Sequence, residues 1–441
     1  MSAMAIAGAF ALGLSACSTP DPETNGPDPE TNEEEPGAAG ELVIWHMEGV
    51  PSRVAAFNEL AERYNATGPA YEVVFEVQDW DQIYTKIAAA AQSGQQPDVL
   101  FVIPDFATYV RGLGVGQPVT DVVEALDDTY GLLDAASAPY LDEDYWAVPL
   151  YGMVQVLWYR ADLLAEAGVE PPETWSDLLA AAQALTVDGR SGIALPAGKN
   201  LATDQVIFSL MTTAGAANFF TDDGQVAIDT PETVAAFELY RELLEFSPVD
   251  SGNYAWGEPQ AAFNSGSAAM AIEKGQYLSP FVAESGATPA DLGCMPIPVK
   301  NQSGQSGSIY YSNGAMVLSD DEARVSAAGD FLSWLLEPEN YGDFLNAEPG
   351  LFLPVTSGGA ELETWRSNDV LSTYPECVDV MLEQSETGTL FGFADGQYID
   401  SIGQISGQNF LAQAIQEMYV NDMSAEDAVA WMQAQMQKAI D

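Results

Sequence analysis

Residues 41–45 read Glu-Leu-Val-Ile-Trp, residues 71–77 read Tyr-Glu-Val-Val-Phe-Glu-Val, and residues 97–103 read Pro-Asp-Val-Leu-Phe-Val-Ile. Each is a short apolar or alternating run suited to a β-strand. Between them lie two stretches with helical spacing. Pro51 to Tyr64 places Val54, Phe57, Leu60, Ala61 and Tyr64 on one face, and Asp81 to Gln92 is closed by Gly94 and Pro97. The order strand, helix, strand, helix, strand predicts an α/β fold with a mostly parallel sheet covered by helices on both faces. Ligands of such sheets lie beyond the carboxyl ends of the strands, which puts Glu48, Asp79 to Asp81 and Pro104 to Phe106 on the edge of a candidate site.

Downstream, Ala147 to Tyr151 and Val154 to Tyr159 read as a strand pair or one bent strand. Asp162 to Ala167 is a short helix stopped by Gly168, and Thr174 caps the helix that follows. Further helices are expected at Asp204 to Thr213, Thr230 to Leu244, Glu258 to Asn264, Asp321 to Leu336 and Ser424 to Ile440, with a Gly/Ser/Gln loop at Ser303 to Ser308. At 441 residues, two or three domains are expected, and no internal repeat is visible.

Upstream, Ala3 to Leu14 is apolar but much shorter than the ~20 residues that cross a bilayer. It has the character of a secretory signal core, and Leu14-Ser15-Ala16-Cys17 resembles the lipobox of prokaryotic lipoproteins. The first basic residue is Arg53, so the basic segment that opens such signals does not occur in this sequence. Residues 1–17 are expected to be a lipoprotein signal peptide with Cys17 as the lipidated residue. Residues 18–40 hold no aromatic or large aliphatic side chain and are expected to form a disordered acidic tether.

The charge narrows the partners. Thirteen Lys+Arg against 66 Asp+Glu give a net charge of −53, which leaves no basic surface for nucleic acid and disfavours anionic lipid, so any membrane contact is expected through the lipid anchor only. Hydrophobic residues at 47% are too many for a disordered acidic chain, so the carboxylates must coat a folded core. Seven acidic and no basic residues precede Glu41, so the folded region itself keeps −46. Such self-repulsion destabilises a compact state in dilute salt and is screened at ~1 M salt, where the Debye length is roughly 3 Å. The expectation is a protein for salty water.

Catalytic chemistry has little to work with. His46 is the one histidine, so a histidine triad would have to use it and an HExxH zinc site is impossible. A histidine beside a strand end reads first as a hydrogen-bonded wall residue. Gly112-Leu113-Gly114-Val115-Gly116 does not join a strand to a helix, and no GxxxxGK[ST] phosphate loop occurs. Cys294 and Cys377 can be one disulfide or two buried thiols, and no CxxC pair exists. No metal or cofactor is expected. A glycosidase needs only two carboxylates, so a secreted carbohydrate-active enzyme stands as the rival to a binding protein.

Several segments, in order, resemble the family 1 extracellular solute-binding proteins of ABC importers, the group that includes maltose-binding protein. The likeness runs through Leu42 to Trp45, through Tyr84 to Ala91 with Gly94-Gln95-Gln96-Pro97-Asp98-Val99, and through Val148-Pro149-Leu150-Tyr151 to Trp158-Tyr159-Arg160-Ala161-Asp162-Leu163 and Pro171 to Trp175. It continues in Ala262-Phe263-Asn264-Ser265-Gly266 with Ala269, Met270 and Gly275, in Phe331 to Leu336, and in Gly350 to Val355. The resemblance implies a two-lobed periplasmic-binding-protein-like fold with a ligand cleft between lobes joined by several hinge crossings. Lobe one is expected at residues 41–150 and 307–356, and lobe two at 151–306 and 357–441. It further implies a ligand-binding wall of Glu48, Asp79, Trp80, Asp105, Phe106, Tyr151, Trp256, Tyr277, Tyr310 and Tyr311.

Those residue types suit a sugar, because aromatic faces pack on its C–H surfaces while carboxylates and amides accept its hydroxyl protons. The function implied is a monomeric lipoprotein at the cell surface or in the periplasm, handing a neutral sugar or oligosaccharide to an ABC permease. Few Arg and Lys residues in these segments count against an anion such as a glycerol phosphodiester, and a cationic compound is the other alternative. Core packing is the competing role for the aromatics, and more so for Trp158 and Trp175.

Overall fold

A computed structural model describes residues 40–441 apart from 138–139, 142, 222 and 393–398. Cys17, the signal segment and the tether up to residue 39 lie outside the described residues. The strands are β1 (Glu41–His46), β2 (Glu72–Val77), β3 (Val99–Val102), β4 (Tyr140–Leu141), β5 (Asp144–Tyr145), β6 (Val148–Val154), β7 (Val156–Arg160), β8 (Met270–Glu273), β9 (Leu292–Met295) and β10 (Tyr310–Val317). They form a five-stranded sheet of order β2-β1-β3-β10-β6, a three-stranded sheet of order β8-β7-β9, and the small hairpin β4-β5.

The alternating segment behaves as its pattern demands. β1 pairs in parallel with β2 and β3 through the helices Pro51–Asn65 and Ile83–Ser93. Gly94 closes the second helix at φ 66°, a left-handed conformation that glycine adopts without Cβ strain. The expectation of a mostly parallel sheet holds only for this half. β10 runs antiparallel to both β3 and β6, and the second sheet is antiparallel throughout. The physical reason is connectivity: β10 returns from another part of the molecule, so no local strand–helix–strand crossover forces it parallel.

The two sheets are the cores of two lobes, and three passages of chain join them side by side. β6 runs on past Leu150 to Val154, and β7 begins in the other sheet after Gln155. Gln155 is fully buried; its side-chain oxygen accepts from Ser209 Oγ at 2.7 Å and its carbonyl from Ser308 Oγ at 2.7 Å. Thr389 N donates to Ser308 O, and Tyr310 N donates to Thr389 O. These bonds tie the three crossings to one another, so a change at one is felt at the others.

Packing on the first lobe extends beyond residue 356. Helix Ser357–Ala360 lies on helix Thr120–Tyr130, and helix Glu363–Arg366 on helix Pro338–Leu345. Trp365 is buried in the same cluster as Phe57 and Phe344. Helix Pro375–Thr387 packs on both β6 and β9, and a disulfide between Cys294 of β9 and Cys377 fixes it to the second sheet. The second lobe is filled by helices Leu201–Ala214, Pro231–Leu244, Phe410–Asn421 and Ala425–Ile440, whose apolar faces share one cluster.

Candidate functional site

The carboxyl ends of the three parallel strands open on a cavity of about 570 Å³ between the lobes. Each strand supplies a wall residue just after its end: Glu48 after β1, Trp80 after β2 and Ile103 after β3. β10 contributes Tyr311 and Asn313, two residues apart and therefore on one face of the strand. The second lobe answers with Leu201 and Gln205 from helix Leu201–Ala214, with Trp256 and Gln260 at the start of helix Gly257–Asn264, and with Lys274 and Gln276 beyond β8.

Glu48 is held from several sides. Its backbone N–H donates to His46 Nδ1 at 3.2 Å, and its carboxylate accepts from Tyr151 O–H at 3.0 Å and from Arg53 at 2.8 Å. Arg53, on the first turn of its helix, also donates Nε–H to Glu348 at 3.0 Å. Burial works against the charged guanidinium, but Glu48 and Glu348 outweigh it and hold its pKa above the ordinary arginine value. His46 is fully buried against Phe57 and Phe75, and desolvation lowers its pKa to about 4. It is therefore neutral at physiological pH and acts as an acceptor in the wall.

The opposite wall carries a second ion pair. Lys274 Nζ donates to Glu273 at 2.9 Å and to Gln205 at 2.5 Å. Trp158 Nε1–H fixes this strand end by donating to the carbonyls of Glu273 and Lys274. Gly275 is required next: a Cβ there would come within 1.9 Å of Gly350 O. Two wall residues also keep buried polar atoms without partners among the described residues, namely Asn313 Nδ2 and Gln276 Oε1. Burying such atoms unpaired is costly, so they are sites where a polar ligand gains.

Of the residues singled out from sequence, the structure brings Glu48, Trp80, Trp256 and Tyr311 to the cavity. Tyr151 stands behind Glu48 as its hydrogen-bond donor. Asp79 is exposed and accepts from Asp81 N–H at 2.8 Å, turning the chain after β2. Asp105 and Phe106 sit in the first turn of helix Pro104–Gly112. Asp105 is fully buried, accepts from Ser406 Oγ, and burial raises its pKa to about 6. Phe106 packs against Trp80 and Tyr84.

Tyr277 stacks on Trp158 inside the second lobe, with centroids 5.5 Å apart, and Tyr310 is buried on the face of β10 opposite Tyr311. Trp175 is also core, donating to Thr213 Oγ1. Sequence reasoning missed Arg53, Gln205, Gln260, Lys274, Gln276 and Asn313. For Gln276 the signal was adjacent: the segment Gly275 to Tyr277 was recognised, but the Gln276 amide faces the cavity rather than the Tyr277 ring.

Residues 50–342 match the family model described as "Bacterial extracellular solute-binding protein". The chain belongs to this family. Membership decides between the two classes left open by the sequence: this is a solute-binding protein, not an enzyme. A similar curated relative is the putative ABC transporter periplasmic-binding protein YcjN of Escherichia coli (strain K12), 25% identical over 90% of this chain and 92% of its own. The arabinooligosaccharide-binding protein of Halalkalibacterium halodurans is 24% identical over 67% of each. Among solved structures, the GacH receptor of Streptomyces glaucescens, studied unliganded and with acarbose, superposes with a TM-score of 0.76 at 19% identity, covering 92% of this chain and 99% of that one. The likeness confirms the two-lobed fold.

Proposed function

We propose that this solute-binding protein captures a neutral sugar or oligosaccharide in the interlobe cavity and delivers it to the membrane permease of an ABC importer. The observation that carries the reading is the wall itself. One indole from each lobe, Trp80 and Trp256, faces a space whose polar groups are amides, a phenol, an arginine held between two glutamates and a lysine–glutamate pair. Indole faces suit the C–H surfaces of pyranose rings, and amides and paired charges suit hydroxyls that are neither acidic nor basic. The arabinooligosaccharide-binding protein, a relative by sequence, and the GacH receptor, of like fold and studied in complex with acarbose, support it.

Capture would proceed by closure about the three crossings at Gln155, Ser308 and Thr389, with the closed form favoured to the extent that it binds the ligand more tightly. The protein would act as a monomer outside the cell, tethered by a lipid on Cys17, with its −46 coat adapted to brine. A saccharide panel tested by calorimetry in molar NaCl checks this: stoichiometric binding without turnover is expected. Binding of a phosphodiester or a cationic solute in preference to every sugar would overturn it. The same samples should unfold at a higher temperature in molar than in dilute NaCl, and an unchanged midpoint would remove the adaptation to salt.

A further inference from the structure

Two of the thirteen basic residues reach the cavity, and both arrive already matched. Arg53 lies between Glu48 and Glu348 on one wall, and Lys274 lies against Glu273 on the other. Glu273 does not itself line the cavity, and its side chain is 2% exposed. Any influence on a ligand must therefore pass through Lys274. That ammonium has three protons, and Glu273 and Gln205 take two of them. Among the described residues its third proton has no partner, and the residue faces the cavity.

A buried ammonium without a counter-ion holds a carboxylate strongly, because desolvation enhances the charge-assisted bond and leaves the cation seeking compensation. A paired one is still a good donor, but exerts little net pull on an anion. We propose that Glu273 is a specificity-determining residue that keeps the cavity selective for neutral sugars. By compensating Lys274 it lets the ammonium donate to a hydroxyl oxygen while denying a landing site to the carboxylate of an acidic sugar. The surplus carboxylate around Arg53 works in the same direction on the opposite wall. This deepens the sugar reading and rests on it.

The test uses Glu273→Gln in the full chain at molar NaCl. Calorimetry compares maltose, cellobiose and laminaribiose with their forms in which one C6 hydroxymethyl is oxidised to a carboxylate. The wild type should favour the neutral member of each pair it binds. In Glu273→Gln the affinity ratio should move toward the acidic member by on the order of tenfold or more, the scale of one charge-assisted hydrogen bond. Adding Lys274→Gln to that variant should abolish the gain; a gain that persists would show that Lys274 does not hold the carboxylate and would overturn the proposal.

Lys274→Gln alone supplies a reading that does not depend on the folding of Glu273→Gln. It should weaken the neutral sugar by roughly tenfold without admitting the acidic one, and an unchanged neutral affinity would overturn the proposal. The two levels of failure separate cleanly. If the wild type binds no sugar, the sugar reading fails; if it binds neutral sugars and Glu273→Gln discriminates as the wild type does, only the role of Glu273 fails.

Discussion

The two walls of the cavity are built in different ways. The first-lobe wall comes from consecutive strand ends, so Glu48, Trp80 and Ile103 follow three neighbouring strands at the same edge of one sheet. The second-lobe wall is collected from helix faces and a strand end far apart in sequence: Leu201 with Gln205, Trp256 with Gln260, then Lys274. Four-residue spacing puts each helical pair on one face. A wall of strand ends is set by local topology, whereas a wall of helix faces is set by how those helices dock. Charge follows the same division. The first wall carries a carboxylate-rich triad and the second a balanced pair.

The largest break in that comparison should come from Arg53→Ala. It leaves Glu48 and Glu348 buried side by side without their cation, and breaking such a pair from one side costs about 3–5 kcal/mol. Chemical unfolding should show that loss, with ligand affinity falling as well because Glu48 keeps only Tyr151 as a side-chain donor. A stability within about 1 kcal/mol of wild type would mean the triad behaves as a surface pair.

Next in size is a group behind the first wall. Asp105 is buried, and its surroundings include Tyr84, Tyr311 and Asp204. Burial raises its pKa from 3.8 to about 6, so the folded state retains a proton that the unfolded state releases. Stability from this site is therefore fully present below pH 3.8 and is lost as pH rises through about 6. Asp105→Asn keeps an acceptor for Ser406 and cannot ionise. At pH 7 it should exceed wild type by about 3 kcal/mol, with the difference closing near pH 4. Denaturant midpoints at several pH values check this, since the rest of the acidic coat titrates alike in both proteins; parallel curves would refute it.

The contrast between walls also explains what could be read from sequence. Alternating apolar runs between 41 and 103 expose the parallel half of the first sheet, and the strand-end rule then points to Glu48 and Trp80 without further information. Asp105 obeys the same rule and still misses the cavity, because Pro104 starts a helix whose first turn faces Ser406. Tyr310 and Tyr311 were indistinguishable until the pleat of β10 assigned one to each face. On the second wall Trp256 was a candidate through the family resemblance and its aromatic type, whereas Lys274 and Gln205 were not singled out. Their meaning depends on Glu273 lying beside one and a distant helix bringing the other, and no local pattern records such docking.

The smallest expected effect sharpens the comparison most directly, because it tests whether the paired indoles do equivalent jobs. Trp80 is half-buried and meets Phe106 edge to face at a centroid distance of 6.0 Å, so it belongs to both the cavity wall and the core. Trp256 is also half-buried but has no ring partner among the described residues. Trp256→Ala should therefore weaken sugar binding by about 1–2 kcal/mol, roughly tenfold, while leaving the unfolding midpoint near that of wild type. Trp80→Ala should lose comparable affinity and some stability as well, since truncation removes packing from Phe106. Calorimetry and thermal unfolding on the two variants separate these outcomes. Equal stability losses would place Trp256 in the core of its lobe, and an affinity loss confined to Trp80 would mean that the first wall alone grips the ring.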